Sequence, residues 1–275
     1  MKLRADISPC SADITDVAAY ILAEKGFESF EPDETGLTAY IPLKDWHDDV
    51  QLELPFENVE VRLTSELVKG QDWNKEWEQH YFKPIVINGK CAIHSSFHTD
   101  VPKCEYDIVI DPKMAFGTGH HATTSMITEY LLEMDLNGKT VVDMGTGTGI
   151  LAILAAMRGA SQVTGIEIDP PAWENAVDNK RINGHDEIAM LLGDATRLEG
   201  LQGTADLFLA NINRNVITGD LPAYAATLHR GGEMLLSGFY EKDIPVVLDA
   251  AESCGMQLID NKINNDWTCI HLRLE

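Results

Sequence analysis

The chain has 275 residues and a mass of 30.4 kDa, and its apolar fraction of 44% allows a packed core, which excludes a disordered chain. It carries 21 basic and 44 acidic side chains, a net charge of −23, and a surface of this sign disfavours general binding to nucleic-acid phosphates. It contains no run of about 18 apolar residues, so we predict no membrane span.

The amino-terminal sequence and the cysteines bear on the cellular compartment of the protein. MKLRADISPC lacks an apolar signal core, so we expect a cytoplasmic protein. The five cysteines are scattered without a CxxC pair, which predicts neither a metal site nor a disulfide framework. The acidity has two interpretations at this point, since it either attracts a basic protein or only keeps the chain in solution.

Residues 1–70 predict a small α+β domain. Ser11 is placed to begin a helix that stops at Gly26. Strand patterns occur at Lys2–Ile7, Phe27–Phe30, Leu37–Ile41 and Asn58–Leu63. With a short helical stretch before the last strand, the order β-α-β-β-α-β suggests a ferredoxin-like domain. These residues hold six basic and 15 acidic side chains, a net charge of −9.

Residues 71–82 predict a linker helix. Trp73 and Trp77 are four residues apart and therefore share one helix face. The simplest interpretation is a helix packed between two domains, the second of which spans residues 83–275.

From residue 122 onward, helices alternate with apolar strands. The predicted strands are Thr140–Asp143, Gln162–Ile168, Ile188–Leu192, Asp206–Ala210 and Glu233–Ser237. This alternation predicts a doubly wound α/β sheet. The closing strands, Gln257–Ile263 and Trp267–Leu274, are separated by a short turn and should pair antiparallel. A parallel sheet that ends in a hairpin is the layout of class I methyltransferases.

The segment TVVDMGTGTGILAILAA is the strongest local motif. A strand ends at Asp143, and glycines at 145, 147 and 149 precede a helix. Ile150 stands where a dinucleotide-binding GxGxxG motif has its third glycine. An acidic residue before GxGxG is typical of S-adenosylmethionine sites, so Asp143, Gly145 and Gly147 are candidate cofactor contacts. A nucleotide enzyme and a purely structural turn remain alternatives.

The next two strands each end near a carboxylate. Glu167 is placed to accept bonds from both ribose hydroxyls of the cofactor, and Asp169 before Pro170 is the better candidate for a helix cap. Asp194 either accepts a bond from the adenine amine or only shapes a turn.

Asn211 and the loop before the sheet complete the candidate site. Asn211 ends the central strand, where its amide oxygen is placed to orient an incoming amine; the alternative is an asparagine that shapes a turn. In DPKMAFGTGHHATT, a P-loop is excluded because GxxxxGK[ST] is absent. Neighbouring His120 and His121 are poorly spaced to chelate one metal ion. A loop that covers a cofactor fits better.

The segments AFGTGHHATT, VVDMGTGTGILAI, IEIDP and ANIN together resemble the ribosomal protein L11 methyltransferase family. DWNKEWEQHYFKP, GFYEKD and NDWTCI resemble the same family, so the resemblance begins near the predicted linker and continues to the last residues. It implies a class I fold and S-adenosylmethionine as cofactor. It also implies methylation of lysine side chains and of the terminal α-amine of L11, a basic protein of the large ribosomal subunit. The small amino-terminal domain of the enzyme is then expected to bind L11.

The resemblance assigns cofactor contacts to Thr124, Gly145, Glu167 and Asn211, and it matches His121 to the histidine of the family's loop. One departure is Glu167, since the family often has aspartate there. We expect Asn211 to hold the amine and water or His121 to take its proton. The acidic amino-terminal domain favours free L11 that is not yet covered by RNA.

Two other functions stay open at this point. A glutamine or small-molecule N-methyltransferase shares the fold, although it favours Asn-Pro-Pro-Tyr where this chain has Asn-Ile-Asn after Ala210. A non-catalytic scaffold that only binds the cofactor is the second, and the intact glycine loop argues against it.

Overall fold

The computed structural model describes residues 1–23, 25–27, 29–47, 50–52, 54–56, 59–67, 83–111 and 121–275, without the side chains of residues 12 and 13. The chain forms two compact units, Met1–Trp73 and Asn74–Glu275. The predicted linker, residues 71–82, lies outside the described residues, so the boundaries at 70 and 83 stay predictions. No helix among the described residues combines the length and the apolar character needed to cross a membrane.

The first unit is an antiparallel sheet with one helix against it. Its strand order is β2-β3-β1-β4. The elements are β1 (Lys2–Ser8), α1 (Ala12–Ala23), β2 (Ser29–Asp33), β3 (Gly36–Tyr40) and β4 (Glu60–Glu66). Alternate residues of β1, namely Leu3, Ala5 and Ile7, are buried against α1, as a half-buried strand requires. Between β3 and β4 the described residues hold one 3-10 turn, Leu43–Asp45, so the ferredoxin-like assignment stays a prediction.

The second unit is built on a seven-stranded sheet of order β10-β9-β8-β11-β12-β14-β13. The strands are β8 (Thr140–Met144), β9 (Gln162–Glu167), β10 (Ala189–Leu192), β11 (Ala205–Asn211), β12 (Leu228–Tyr240), β13 (Met256–Asn264) and β14 (Trp267–Leu274). The first five strands in this order are parallel, and β14 runs antiparallel to both of its neighbours. The predicted doubly wound sheet with a closing hairpin is confirmed.

Helices cover both faces of this sheet. They are α2 (Ala122–Glu133), α3 (Ile150–Met157), α4 (Pro170–Ile182), α5 (Arg214–Thr227) and α6 (Ile244–Ser253). Neighbouring residues of β8 pack on opposite faces of the sheet. Val141 belongs to the apolar cluster with α2 and α3, and Val142 belongs to the cluster with α5 and α6. Burial on both faces explains why these strands are continuously apolar.

A smaller sheet of three strands precedes α2. It consists of β5 (Ile85–Ile87), β6 (Cys91–His94) and β7 (Tyr106–Val109). Ile93 and Ile108 are fully buried in the same cluster as Val141, so this sheet extends the core on the α2 face.

Strand β12 is much longer than the sequence predicts. It spans Leu228–Tyr240 instead of Glu233–Ser237, and it includes Gly231 and Gly232. Gly231 has φ +83°, and an added Cβ on Gly232 would lie 3.1 Å from the Ala205 carbonyl oxygen. The glycines therefore allow an irregular but continuous pairing with β11, whose register shifts at this point.

Candidate active site

A cavity of about 430 Å³ opens at the carboxyl ends of β8, β9, β10 and β11. Parallel strands end at one edge of their sheet, and doubly wound folds bind ligands there. Five of the predicted site residues line this cavity: Gly145, Gly147, Glu167, Asp194 and Asn211. Thr124, Asp143 and His121 are not part of its wall, and their positions are described below.

The glycine loop after β8 depends on backbone conformations that other residues rarely adopt. Gly145, Gly147 and Gly149 have φ angles of +70°, +57° and +84°. The amide of Gly145 donates to the Ile166 carbonyl over 2.8 Å, which fixes the loop to β9. A Cβ on Gly145 would collide with Cγ2 of Ile212. The loop can therefore pass this close to the cavity only with glycine at 145.

Asp143 is buried beneath the glycine loop, with 1% of its surface exposed. Its Oδ2 accepts a 2.6 Å bond from the Thr146 hydroxyl, whereas Oδ1 has no partner. Burial raises the pKa of Asp143 to about 7; the Thr146 bond offsets part of this rise and the nearby Glu167 carboxylate adds to it. Asp143 is thus a carboxylate with unused accepting capacity directly behind the loop.

Glu167 ends β9 and accepts from the backbone of two stretches of the cavity wall. Its Oε2 accepts from the Gly147 amide over 2.9 Å. Its Oε1 accepts from the amides of Ile168 and Asp169, over 2.9 and 3.1 Å. Three of about four lone-pair positions on the carboxylate are therefore in use, which leaves one for a ligand hydroxyl without rearrangement.

Asp169 and Asp194 both lie at the start of a helical segment. Asp169 caps α4 by accepting from the Ala172 amide over 3.2 Å, as predicted. Asp194 is exposed, and its Oδ1 accepts from the amide and hydroxyl of Thr196 over 3.0 and 2.7 Å. These bonds hold the pKa of Asp194 below its usual range. Asp194 thus shapes a turn and also lines the cavity, and the two interpretations are compatible.

Asn211 ends β11 in the middle of the sheet. Its Nδ2 donates to Oγ1 of Thr124 over 3.1 Å, and Thr124 is 1% exposed. Its Oδ1 is buried and has no partner. Among the described residues only two other buried side-chain polar atoms share this state, Asp143 Oδ1 and Thr128 Oγ1. An unsatisfied buried acceptor is costly, so a ligand donor is the natural partner of Asn211 Oδ1.

His121 begins α2 instead of lining the cavity. Its side chain caps the helix by accepting from the Thr123 amide, and Nδ1 lies 2.8 Å from the Thr123 hydroxyl. Its ring packs edge-on against Trp267, with 4.6 Å between centroids. His120 lies outside the described residues. Within the described part of the chain, no group of three or more His, Cys, Asp or Glu side chains is arranged to hold a metal ion.

Sequence reasoning missed the apolar part of the cavity wall. Ile168, Ile212 and Val216 all line the cavity. Ile168 is 68% exposed and Val216 is 47% exposed, which is unusual for large apolar side chains. The available signal was the position of Ile168, an apolar residue between a strand-end carboxylate and a helix cap.

Sequence reasoning also missed an asparagine row on α4. Asn175 and Asn179 are fully buried, and Asn183 follows four residues later. Asn179 donates to the Thr148 carbonyl over 2.9 Å and accepts from the Asp111 amide over 3.1 Å. Asn175 donates to the Asp111 carbonyl over 2.7 Å. The row therefore connects the glycine loop to the chain that follows β7.

Comparison with known proteins agrees with this geometry. The family described as ribosomal protein L11 methyltransferase (PrmA) matches residues 10–275. A ribosomal protein L11 methyltransferase of Bacteroides fragilis is 46% identical over 269 residues, which are 96% of either chain. The chain belongs to the ribosomal protein L11 methyltransferase family. It is accordingly an S-adenosylmethionine-dependent methyltransferase.

Two further relatives extend the comparison. A ribosomal protein L11 methyltransferase of Porphyromonas gingivalis is 44% identical over 259 residues, covering 93% of this chain and 89% of that one. The crystal structure of a ribosomal protein L11 methylase from Lactobacillus delbrueckii subsp. bulgaricus has a TM-score of 0.63 and 27% identity. It covers 70% of this chain and all of that chain. The class I methyltransferase fold of the family is thus the fold of this chain.

The cavity fits the cofactor of this family on physical grounds. S-adenosylmethionine has a flat base, a ribose and a charged amino-acid part, and the wall offers an apolar patch and carboxylates near each other. The unpartnered Oδ1 of Asp143 and of Asn211 and the close backbone approach at Gly145 are features that a polar ligand would use.

Proposed function

We propose that this enzyme methylates amino groups of ribosomal protein L11, both lysine side chains and the terminal α-amine. The observation that carries the proposal is the buried, unpartnered Oδ1 of Asn211 at the carboxyl end of the central strand. An oxygen acceptor there suits a nucleophile that still bears hydrogens, as a neutral amine does.

The positions of the side chains support a set of cofactor-binding roles, which we propose as follows. Gly145 and Gly147 let the backbone contact the ligand, and Asp143, buried behind the loop, attracts the ammonium of its amino-acid part by its charge. Glu167 accepts from the ribose and Asp194 from the adenine amine, while Ile168 covers the face of the base. The bound cofactor supplies a methyl group on a positively charged sulfur.

The enzyme's own residues then have to present a neutral amine. A lysine has an ordinary pKa of about 10.4, and removal from water disfavours the ammonium. Asn211 Oδ1 accepts one N–H, which orients the nitrogen lone pair, and Thr124 fixes the amide by accepting from Nδ2. Because the leaving group is already activated, alignment is the main contribution to rate.

Water is the better proton acceptor in this arrangement. His121 Nδ1 accepts from the Thr123 amide, so a neutral ring carries its hydrogen on Nε2 and offers no free lone pair. We therefore assign His121 a positioning role at the start of α2, three residues before Thr124.

The partner is free L11 in the cytoplasm. Residues 1–70 carry a net charge of −9, and a basic ribosomal protein is attracted to them before RNA covers it. All five cysteines are free thiols, which suits a reducing compartment.

The test is intact-mass spectrometry of L11 after incubation with the enzyme and S-adenosylmethionine. We expect methyl additions to free L11 and fewer to L11 within assembled large subunits. Peptide mapping then separates lysine from α-amine products. Cofactor binding without any mass change in L11 would contradict the proposed substrate. Absence of cofactor binding in calorimetry would contradict the assigned site.

A further inference from the structure

A second cavity, of about 560 Å³, lies just beyond the carboxyl end of β12. It is lined by Tyr240, Glu241, Lys242, Pro245 and Asp266. We propose that this cavity receives the side chain of the target lysine and that the aromatic face of Tyr240 retains it as methyl groups are added. The proposal rests on the proposed function and concerns a part of the surface that the cofactor roles leave unused.

The wall of this cavity belongs to a continuous aromatic surface. The Tyr240 ring packs on Trp267, with 4.3 Å between centroids and 33° between planes. Trp267 in turn packs against His121. Tyr240 is 42% exposed, so one part of the ring faces outward while the other is fixed by Trp267. Such a ring is a fixed platform and not a mobile surface side chain.

The aromatic surface leads toward Asn211. His121 begins α2, and Thr124 lies on the same helix face one turn later, where it accepts from Asn211. On the other side, a Cβ on Gly238 would collide with the backbone of Ile212, the residue after Asn211. The end of β12 therefore lies against the segment that holds the proposed amine acceptor.

The charges of the cavity suit a cation. Among the described residues that line it, Glu241 and Asp266 supply carboxylates and Lys242 is the one base. The Nζ atom of Lys242 already lies 5.3 Å from the centroid of the Tyr240 ring. This internal contact indicates that an ammonium can occupy the ring face, and the incoming lysine would make the same kind of contact by displacing Lys242 from the ring.

The cavity is held in shape by its surroundings. Asn265 and Asp266 have φ angles of +49° and +66° in the turn between β13 and β14, and the Asp266 carbonyl accepts from the Glu241 amide over 2.8 Å. Asp243 accepts from the Tyr240 amide over 3.3 Å and from Arg214 over 2.6 Å. The residues around Tyr240 are thus fixed before substrate arrives, as a binding site requires.

An aromatic face discriminates between methylation states. Each added methyl group makes the ammonium more weakly hydrated and removes an N–H, whereas attraction to an aromatic face persists. A partly methylated lysine therefore stays near Asn211 for the next transfer. We expect Tyr240 to influence how many methyl groups are added in one encounter.

The test compares Tyr240→Leu with Tyr240→Phe in the full-length enzyme, with L11 as substrate. We expect Tyr240→Leu to raise the KM for L11 about three- to tenfold, which corresponds to the range of cation–π contacts. Singly methylated product should accumulate under conditions in which the parent enzyme proceeds further. Tyr240→Phe keeps the ring and should resemble the parent, and cofactor affinity in calorimetry should be unchanged in both variants.

A parental KM and product distribution in Tyr240→Leu would overturn the proposal. An equal loss in Tyr240→Phe would also overturn it, because the hydroxyl and not the aromatic face would then matter. Failure of the proposed function is a separate outcome, since the parent enzyme itself would then leave L11 unmethylated.

Discussion

Two carboxylates at opposite ends of the parallel strands, Asp206 and Asp143, differ in how many hydrogen bonds they accept. At the amino edge, Asp206 accepts from Lys139 Nζ, the Thr140 amide and His229 Nε2, over 3.0, 2.9 and 3.1 Å. At the carboxyl edge, Asp143 has one partner and an unused Oδ1.

The pKa values express the same contrast. Burial opposes the ionisation of both side chains. At Asp206 the Thr140 amide, His229 and Lys139 outweigh burial and lower the pKa to about 2. At Asp143 burial prevails and the pKa rises to about 7. A carboxylate with all its bonds satisfied stabilises the fold, whereas an unsatisfied one at a strand end marks a place prepared for a ligand.

The largest expected effect is at the carboxyl edge, on Gly145. Gly145→Val should abolish cofactor binding, because the side chain collides with Ile212 and the φ of +70° disfavours a branched residue. Gly138→Val is the matched control, since Gly138 has φ +74° but a Cβ there meets nothing within 4 Å. Calorimetry with S-adenosylmethionine measures both. Unchanged affinity in a folded Gly145→Val protein would contradict the placement of the loop.

The next effect is on the chemical step. Asn211→Ala should lower turnover by about a hundredfold, or about 2.7 kcal/mol, because the amine loses the acceptor that orients its lone pair. Asn213→Ala is the control: Asn213 caps α5 by accepting from the Asn215 amide over 2.9 Å, so its loss should cost about 1 kcal/mol of stability instead. Single-turnover methyl transfer distinguishes them. A first methyl transferred at the parental rate by Asn211→Ala would remove Asn211 from catalysis.

A smaller effect should appear in the pH dependence of cofactor binding. Below a pH of about 7, Asp143 is mostly protonated in the free enzyme, and a cationic group of the ligand favours its ionised form. The association constant should therefore rise with pH, by at most about tenfold per unit, and level off above about pH 7. Asp143→Asn should remove the slope. If the slope persists in that variant, another group binds the cation.

The smallest effect on activity is expected at the amino edge. Asp206→Asn should lower the free energy of unfolding at pH 7 by about 1–2 kcal/mol and leave cofactor affinity unchanged. The lowered pKa of Asp206 means that its contribution is present above about pH 4 and is lost as the pH falls toward 2. Denaturant unfolding at several pH values should show the two proteins converging in acid. Weaker cofactor binding by this variant would show that the two edges are not independent.

Patterns within single elements could be predicted from the sequence. The starts of β8 and β9 and the Asp169 cap follow from apolar runs and capping chemistry, which act over a few neighbouring residues, and the carboxyl ends of both strands are predicted to within one residue. The site residues that line the cavity were found in the same way, because strand ends fix where Glu167 and Asn211 lie.

The remaining features depend on contacts between distant parts of the chain. The bond from the Gly147 amide to Glu167 depends on how two strands lie beside each other. Asn175 and Asn179 bond to Asp111, which is more than 60 positions away in the chain. The continuation of β12 through Gly231 likewise depends on its partner β11. None of these partners is visible in local sequence, where an asparagine or glycine favours a turn.

The Asn179 side chain links the glycine loop to Asp111 by hydrogen bonds, so the two segments move together. Its two bonds share a single amide, so opening of the backbone at Thr148 strains the bond to the Asp111 amide as well. A ligand that stiffens the loop should also suppress local opening near β7, outside the cavity wall. The amide hydrogens of Val109 and Asp111, which are bonded to Asn183 and Asn179, would then exchange with solvent more slowly when the cofactor is bound.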